Sequence, residues 1–440
     1  MLINKEFVSK STYYLKKIDL CERMISIFHP SKIIKANIKL PASKSISNRV
    51  LIIQFLMKKH FKIDNLSHCN DTQDLVQALS QIENNDVKAD GNNIIVNVGE
   101  AGTSYRFLTA LLAIIPGNYE LKGSEKLMER PIASLIDALN ELGAEIKSNN
   151  NNGPLSIVGK ELNGGHITIE AGISSQFITA LMLVAPYFKD GLILELKGKI
   201  VSVSYIKMTM ALMKNFGAKV DFEGNIIRVQ HGAYQTNFDT FTVESDWTAA
   251  SYWYAFAALS SECEIDLKGL KKHSLQGDCI TSDLFSIYGV KSQFEHGTVK
   301  LTKLNGSGFI YIFDFVDNPD LVQTFAFLNA ALGLPLQVNN ASNLGVKETD
   351  RIAAIAAEII KVRGKLTVNS NDDFYIENNT PHLIENSIFK TYQDHRMAMA
   401  ESILAMVFDR IIIENEHVVS KSYPDFWKHL SDAGFEINLS

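Results

Sequence analysis

With 440 residues, 46% of them hydrophobic, the chain has enough apolar material for two or three domains. A formal net charge of −6 and a pI near 6.0 exclude a general nucleic-acid or membrane-surface binder, which needs a basic face, so an anion site has to be a local gathering of Lys and Arg. Cys21, Cys69, Cys263 and Cys279 form no CxxC pair and no zinc-type cluster, and no apolar run is long enough to span a membrane, so the expectation is a reduced, cytoplasmic protein.

Residues 1–23, with Lys5, Glu6, Lys10, Lys16, Lys17 and Asp19, offer no uninterrupted apolar stretch for a signal peptide and read as a tail before a strand beginning near Met24. Three segments then share one grammar: a β-type run, a small-residue turn carrying Ser or Thr, and an apolar helix. Residues 36–45 lead into 46–56, 94–103 into 104–115 and 166–175 into 176–185, each helix capped by the Ser or Thr, with Thr103 as the cap of the second. The C-terminal half repeats the pattern with Asp246, Asp320 and Asp394 at equal intervals in the turn. Between these junctions lie helices closing on Gly143, Gly217, Gly364 and Gly434 as left-handed C-caps, each followed by a strand.

The chain therefore reads as six βαβα-type units, three per half, with hairpins such as residues 147–158 finishing a unit. One unit cannot bury its own helices, whereas three can place helices inside and sheets outside. Two α/β domains with a cleft between them result, and helix N-termini that point into the cleft favour anions. A longer solenoid is the alternative; the change from Ser/Thr to Asp at mid-chain favours two closed domains.

The charged residues fall at the same junctions. In Ser43-Lys-Ser-Ile-Ser-Asn-Arg49, Lys44, Ser45 and Arg49 gather at one helix start, which suits a phosphate and equally suits a cap beside solvated cations. Gly102 allows close backbone approach, with Arg106 one turn on; Arg130 precedes a Pro-initiated helix; Ser174, Ser175 and Gln176 supply uncharged hydrogen-bonding groups. Further along, Asn343, Lys347, Glu348 and Arg351 lie in one stretch, with Lys347 and Arg351 on one face and Glu348 able to pair with Arg351. Asp394-His-Arg396 and Lys421 follow.

Seven motifs in order, Ser-Lys-Ser-x-Ser-Asn-Arg at 43–49, Ala-Gly-Thr at 101–103, Glu-Arg-Pro-Ile at 129–132, Ser-Ser-Gln-Phe at 174–177, Val-Lys-Glu-Thr-Asp-Arg at 346–351, Asp-His-Arg-Met-Ala-Met at 394–399 and Lys-x-x-Pro-Asp at 421–425, make the chain resemble the 5-enolpyruvylshikimate-3-phosphate synthase family over residues 25–440. The resemblance implies two inside-out α/β domains, each of three βαβαββ-type repeats, with the active site in the interdomain cleft. One domain is discontinuous (24–42 plus 246–440) and the other inserted (43–245). It implies transfer of the enolpyruvyl group of phosphoenolpyruvate to the 5-hydroxyl of shikimate 3-phosphate, with release of phosphate and inhibition by glyphosate.

By the same resemblance, shikimate 3-phosphate is held by Lys44, Ser45, Arg49, Ser174, Ser175, Gln176, Ser202, Tyr205, Asp320, Asn343 and Lys347. Phosphoenolpyruvate is held by Lys44, Gly102, Arg130, Gln176, Arg351, Arg396 and Lys421. Asp320 is the expected base; Glu348 is the expected acid at C3, with Lys44 competing for that role. No metal, nucleotide or flavin is expected, no Walker or GxGxxG sequence is present, and the expected state is a monomer whose partners are its small-molecule substrates. Three positions depart from the family pattern: Glu100 where Asn is frequent, Phe107 where Pro is frequent, and Val203-Ser204 where Lys-Pro commonly precedes the tyrosine.

A UDP-N-acetylglucosamine enolpyruvyl transferase would carry Lys-Asn and a reactive loop Cys, against Lys44-Ser45 and no Cys between 70 and 262 here. A non-catalytic anion-binding protein on the same fold gains nothing from Asp320 and Glu348. An RNA-terminal phosphate cyclase is disfavoured by the acidic pI and the missing nucleotide signature.

Overall fold

A helix buried around its whole circumference needs neighbours on every side, and six such helices set the plan of this molecule. In the computed structural model, which describes residues 23–439 apart from 59–60, 85–92, 149–152, 173, 305–307 and 370–372, they are α1 (Lys44–Met57), α2 (Gly102–Ile114), α3 (Ser175–Val184), α4 (Trp247–Leu259), α5 (Val322–Leu332) and α6 (His395–Glu401). α4 buries every residue from Trp247 to Ala258, and α3 buries all but Gln176. The strands supply the cover. In Leu155–Gly159, residues 155, 157 and 159 are buried while Ser156 and Val158 face out, the two-residue period of a sheet with one face on a core.

The expected repetition is present in the sheets. Ile94–Asn97 pairs in parallel with Gly117–Lys122, which pairs antiparallel with Leu155–Gly159, which pairs antiparallel with Glu145–Ser148. The order recurs for Gly165–Glu170, Leu192–Lys197, Ile226–Val229 and Val220–Glu223, and again for Ile312–Asp314, Leu336–Asn339, Phe374–Glu377 and Lys365–Val368. Two sheets borrow a strand from far away. Ile33–Lys39 pairs in parallel with Glu262–Lys268. Met24–Phe28 lies antiparallel between Ile411–Glu414 and Glu436–Leu439, the place a local hairpin strand takes elsewhere. Among the described residues the sixth sheet has two strands, Thr240–Thr242 in parallel with Lys62–Asp64.

Two hydrophobic cores follow. One runs from Ala42 to Val243 and contains α1, α2 and α3; the other takes Ile25 to Leu40 and Trp247 to Phe435 and contains α4, α5 and α6. The chain crosses between them twice, and the crossings bind each other. Ser43 N–H donates to Glu244 C=O at 2.9 Å, Asp246 N–H donates to Pro41 C=O at 2.9 Å, and Ala42 bridges Ser245.

Several local expectations change. Ser43 and Ser174 cap α1 and α3 through Ile46 N–H and Gln176 N–H, but Thr103 does not cap α2, which begins one residue earlier at Gly102; the Thr103 hydroxyl accepts from Gln176 Nε2 at 3.3 Å instead. Asp246 and Asp394 cap α4 and α6. Asp320 does not cap α5, because a 3₁₀ turn, Pro319–Leu321, intervenes and frees its carboxylate. Gly143, Gly217 and Gly434 are left-handed, whereas at the third such helix end Arg363 takes the left-handed conformation (φ 64°) and Gly364 does not. Pro131 lies outside the helix it was expected to start, Ala133–Glu141. Residues 1–22 of the expected tail lie outside the described residues. Cys69, Cys263 and Cys279 are unpaired thiols.

The last turn of α2 lies hard against Gly159 of its own sheet: a methyl group there would penetrate the carbonyl oxygens of Leu112 and Ile115. Backbone cannot swing away as a side chain can, so Gly159→Ala is expected to lower stability by about 2–3 kcal/mol, at the upper end for overpacking. The measurement is the urea midpoint, which should fall without a change of slope.

Candidate active site

The two halves meet where the six helices begin. Lys44 is the first residue of α1, and its ammonium donates to Asp71 Oδ2 at 2.9 Å. One turn on, the guanidinium of Arg49 is buried, donating to Thr209 Oγ1 (2.8 Å), Ser45 C=O (2.8 Å) and Thr179 Oγ1 (3.4 Å) and lying 5.5 Å from the centre of the Phe107 ring. Among the described residues no carboxylate pairs with it, and burial pushes it down to about 10. Arg106, buried beside Gly102, donates to Gly102 C=O (3.1 Å) and Pro131 C=O (2.7 Å); burial and neighbouring Arg130 push it down to about 9. A buried guanidinium held only by neutral oxygens gains most from an arriving anion.

The opposite half contributes a tightly balanced cluster. Arg351, the first residue of the helix Arg351–Ile359, is 1% exposed and meets three carboxylates: Asp320 Oδ1 at 2.8 Å, Glu348 Oε2 at 3.1 Å and Asp394 Oδ2 at 2.9 Å. Asp320 also accepts from Arg396 at 2.7 Å and, across the halves, from the Tyr205 hydroxyl at 2.7 Å. Burial alone would raise the Asp320 carboxyl, but Arg396, Arg351 and Lys347 outweigh it and hold it far below the usual carboxylate range. Glu348 is likewise held well below that range, burial being outweighed by Arg130, Arg351 and Lys421. Lys44 moves the other way: burial opposes its charge, but Asp71 keeps the ammonium above its ordinary value. Burial pushes Lys347 down.

Ten of the sequence-predicted residues line three hollows. Lys44, Ser45, Tyr205 and Arg396 line one of about 470 Å³, together with Asp246, Thr248, Gln276 and Asp278. Arg130, Ser174, Gln176 and Lys347 line a second with Arg106, and Arg130, Glu348 and Lys421 line a third with Glu100. Arg130 reaches Glu348 at 3.9 Å and Lys421 reaches Glu100 at 3.6 Å, each across the halves, so the carboxylate that departs from the family pattern sits beside a cation. Ser175 is buried at the start of α3. Ser202, in a left-handed conformation (φ 57°), accepts from Asn343 Nδ2 at 3.2 Å, while Val203 N–H and the Ser204 hydroxyl both bond Asp317, which fixes the segment that lacks Lys-Pro. Lys347 and Arg351 do not share a helix face, because the helix starts only at Arg351 and Lys347 is extended.

Sequence reasoning missed three participants. Asp71 sits in an unremarkable polar helix start, where an acid usually only complements the helix dipole. Arg106 was visible at the Gly102 junction, but nothing in the sequence tells a buried arginine from a solvated one. Asp394 carries no role that its sequence position reveals; its Oδ1 accepts from Arg396 N–H at 2.9 Å while Oδ2 holds Arg351, so one carboxylate fixes two arginines.

Comparison with known proteins places the chain in a family. The family model described as EPSP synthase (3-phosphoshikimate 1-carboxyvinyltransferase) matches residues 28–430. A Bacteroides fragilis protein named 3-phosphoshikimate 1-carboxyvinyltransferase is 43% identical over 420 residues, covering 93% of this chain and 98% of its own length. A protein of the same name from Pseudoalteromonas translucida is 34% identical over 423 residues, covering 91% and 97%. An EPSP synthase structure from Acinetobacter baumannii superposes with a TM-score of 0.74 over 95% of this chain and all of the other at 19% identity, a likeness of fold. The chain, with this fold and this cluster of cations and carboxylates at the meeting of its halves, belongs to the EPSP synthase family.

Proposed function

We propose that the chain is a 3-phosphoshikimate 1-carboxyvinyltransferase, joining the enolpyruvyl group of phosphoenolpyruvate to the 5-hydroxyl of shikimate 3-phosphate and releasing inorganic phosphate. The observation that carries the reading is the convergence of Lys44, Arg130, Arg351, Arg396 and Lys421 around Asp320 and Glu348 in a member of this family. The functional units on this reading are residues 24–42 with 246–440, and residues 43–245, working as a monomer in the cytoplasm. Among the described residues no helix is long and apolar enough to cross a membrane.

In the mechanism, the 5-hydroxyl of shikimate 3-phosphate adds to C2 of phosphoenolpyruvate as C3 takes a proton. The tetrahedral adduct then loses a C3 proton and expels phosphate. Asp320 takes the hydroxyl proton. Tied to two arginines and Tyr205, it is by itself a poor base. The substrate's phosphate and carboxylate compete for the same arginines, and as they do so the Asp320 carboxylate regains basicity. Lys44, kept charged by Asp71, is the better-prepared proton donor to C3; Glu348, held ionised between Arg130 and Arg351, is prepared to accept the proton removed in elimination. Arg130, Arg396 and Lys421 stabilise the departing phosphate. The test of the whole reading is phosphate release from phosphoenolpyruvate. It should be rapid with shikimate 3-phosphate and absent with UDP-N-acetylglucosamine, and the opposite preference would overturn it.

Asp320→Asn keeps the size of the side chain but removes the proton acceptor, so kcat is expected to fall by about two to four orders of magnitude. Affinity for phosphoenolpyruvate should hold or improve, because Arg351 and Arg396 lose a competing carboxylate. Near-normal turnover would make Asp320 a spacer between arginines. At Gly102 an added methyl group would lie 2.6 Å from Arg130 Nη1 and 3.0 Å from Arg106 Nη1. Gly102→Ala is therefore expected to displace Arg130 and raise KM for phosphoenolpyruvate by about tenfold, with kcat changed less, as for a binding contact. Steady-state kinetics at saturating shikimate 3-phosphate separate the two.

A further inference from the structure

Asp71 touches the site only through Lys44, yet it is built in with more care than a solvated helix-start acid receives. Its side chain is 5% exposed and that of Lys44 13%. Its backbone carbonyl accepts from the Ser104 hydroxyl on α2 at 3.2 Å, and the next residue, Thr72, donates to Asn48 Oδ1 on α1 at 2.8 Å. The preceding residue, Asn70, donates across the halves to Ser420 Oγ at 2.9 Å, beside Lys421. One turn thus fastens α1, α2 and the opposite half to the carboxylate that receives the Lys44 ammonium.

A lysine ammonium is a compact charge on a flexible four-carbon stem, and it points in one direction only when something holds it there. We propose that Asp71 is the positioning residue for Lys44, aiming the ammonium at the reacting carbon and keeping it charged, and that the Asn70–Ser420 bond makes that aim depend on the halves being together. The proposal rests on the reading that Lys44 acts on phosphoenolpyruvate. Other groups that act electrostatically on Lys44 include Cys69, Glu348, Arg396 and His395. With Arg396 among them, loss of the Asp71 charge leaves the ammonium less well compensated and weakens its hold on the proton.

The experiment compares Asp71→Asn, Asp71→Glu and Lys44→Ala, singly and as Asp71→Asn/Lys44→Ala, in full-length enzyme whose unfolding midpoint is recorded. Asp71→Asn should lower kcat by about 10- to 100-fold while KM for shikimate 3-phosphate stays within about threefold. It should also move the alkaline limb of the kcat profile to lower pH, because Lys44 then loses its proton earlier. Asp71→Glu should restore part of the rate, and in the Lys44→Ala background Asp71→Asn should cost less than about twofold more. An unmoved alkaline limb, or a full additional loss in that background, would show Asp71 to be a structural ion-pair partner and overturn the proposal. If Lys44→Ala alone keeps normal turnover, the role given to Lys44 fails first and takes this proposal with it.

Discussion

A guanidinium with 1% of its surface exposed has lost nearly all its hydration, and at Arg351 three carboxylates from three separate turns take the place of water. Everything at the meeting of the halves is arranged around that balance. Asp320 comes from the turn before α5, Glu348 from the bend before the arginine's own helix and Asp394 from the start of α6, so three units of one half must be stacked before the charge is satisfied. Removing one partner from such a group costs several kcal/mol, whereas exchanging a carboxylate for a substrate anion costs little. The cluster is therefore held in a fixed arrangement by its own internal charges.

The inserted half is built on the opposite economy. Arg49 and Arg106 are buried against hydroxyls and carbonyls, with burial depressing both. The halves thus differ: the inserted one carries two buried arginines with no carboxylate partner among the described residues, while the central arginine of the other already has three. Tyr205 joins the two, its hydroxyl donating to Asp320 from a helix of the inserted half, and burial beside Asp320 keeps that hydroxyl protonated. Preorganisation of this kind leaves little solvent rearrangement to be done during the reaction.

The repeat was legible in the sequence because its punctuation is local. A cap such as Ser43 or Asp246 and a left-handed glycine such as Gly217 act within a few residues, so their meaning survives without the fold. Where two local solutions compete, the sequence does not choose: Thr103 lost the cap to an earlier helix start, Asp320 was released by a 3₁₀ turn, and Arg363 took the conformation expected of Gly364. The cations of the site were readable for the same reason that motifs are readable, by residue type and order. Of their pairings only the local one, Arg351 with Glu348, was readable. Lys44 with Asp71, Arg130 with Glu348 and Lys421 with Glu100 join positions that only the folded chain brings within reach, and Phe107, which could have been read as a helix disturbance, instead lies beside Arg49.

The strand Met24–Phe28, wedged between Ile411–Glu414 and Glu436–Leu439, has a consequence for how the molecule is made. On a ribosome the inserted half has all its core partners, from Ala42 to Val243, well before synthesis ends, and it can collapse while the remainder is still being translated. The earlier strands Met24–Phe28 and Ile33–Lys39 must wait, the second for residues 262–268 and the first until Leu439 has emerged. Throughout that interval Ile25, Ile27 and Ile34, all fully buried at the end, have no permanent partner. These two strands are thus translated well before the partners that cover them, and their apolar residues need shelter from aggregation in the interval.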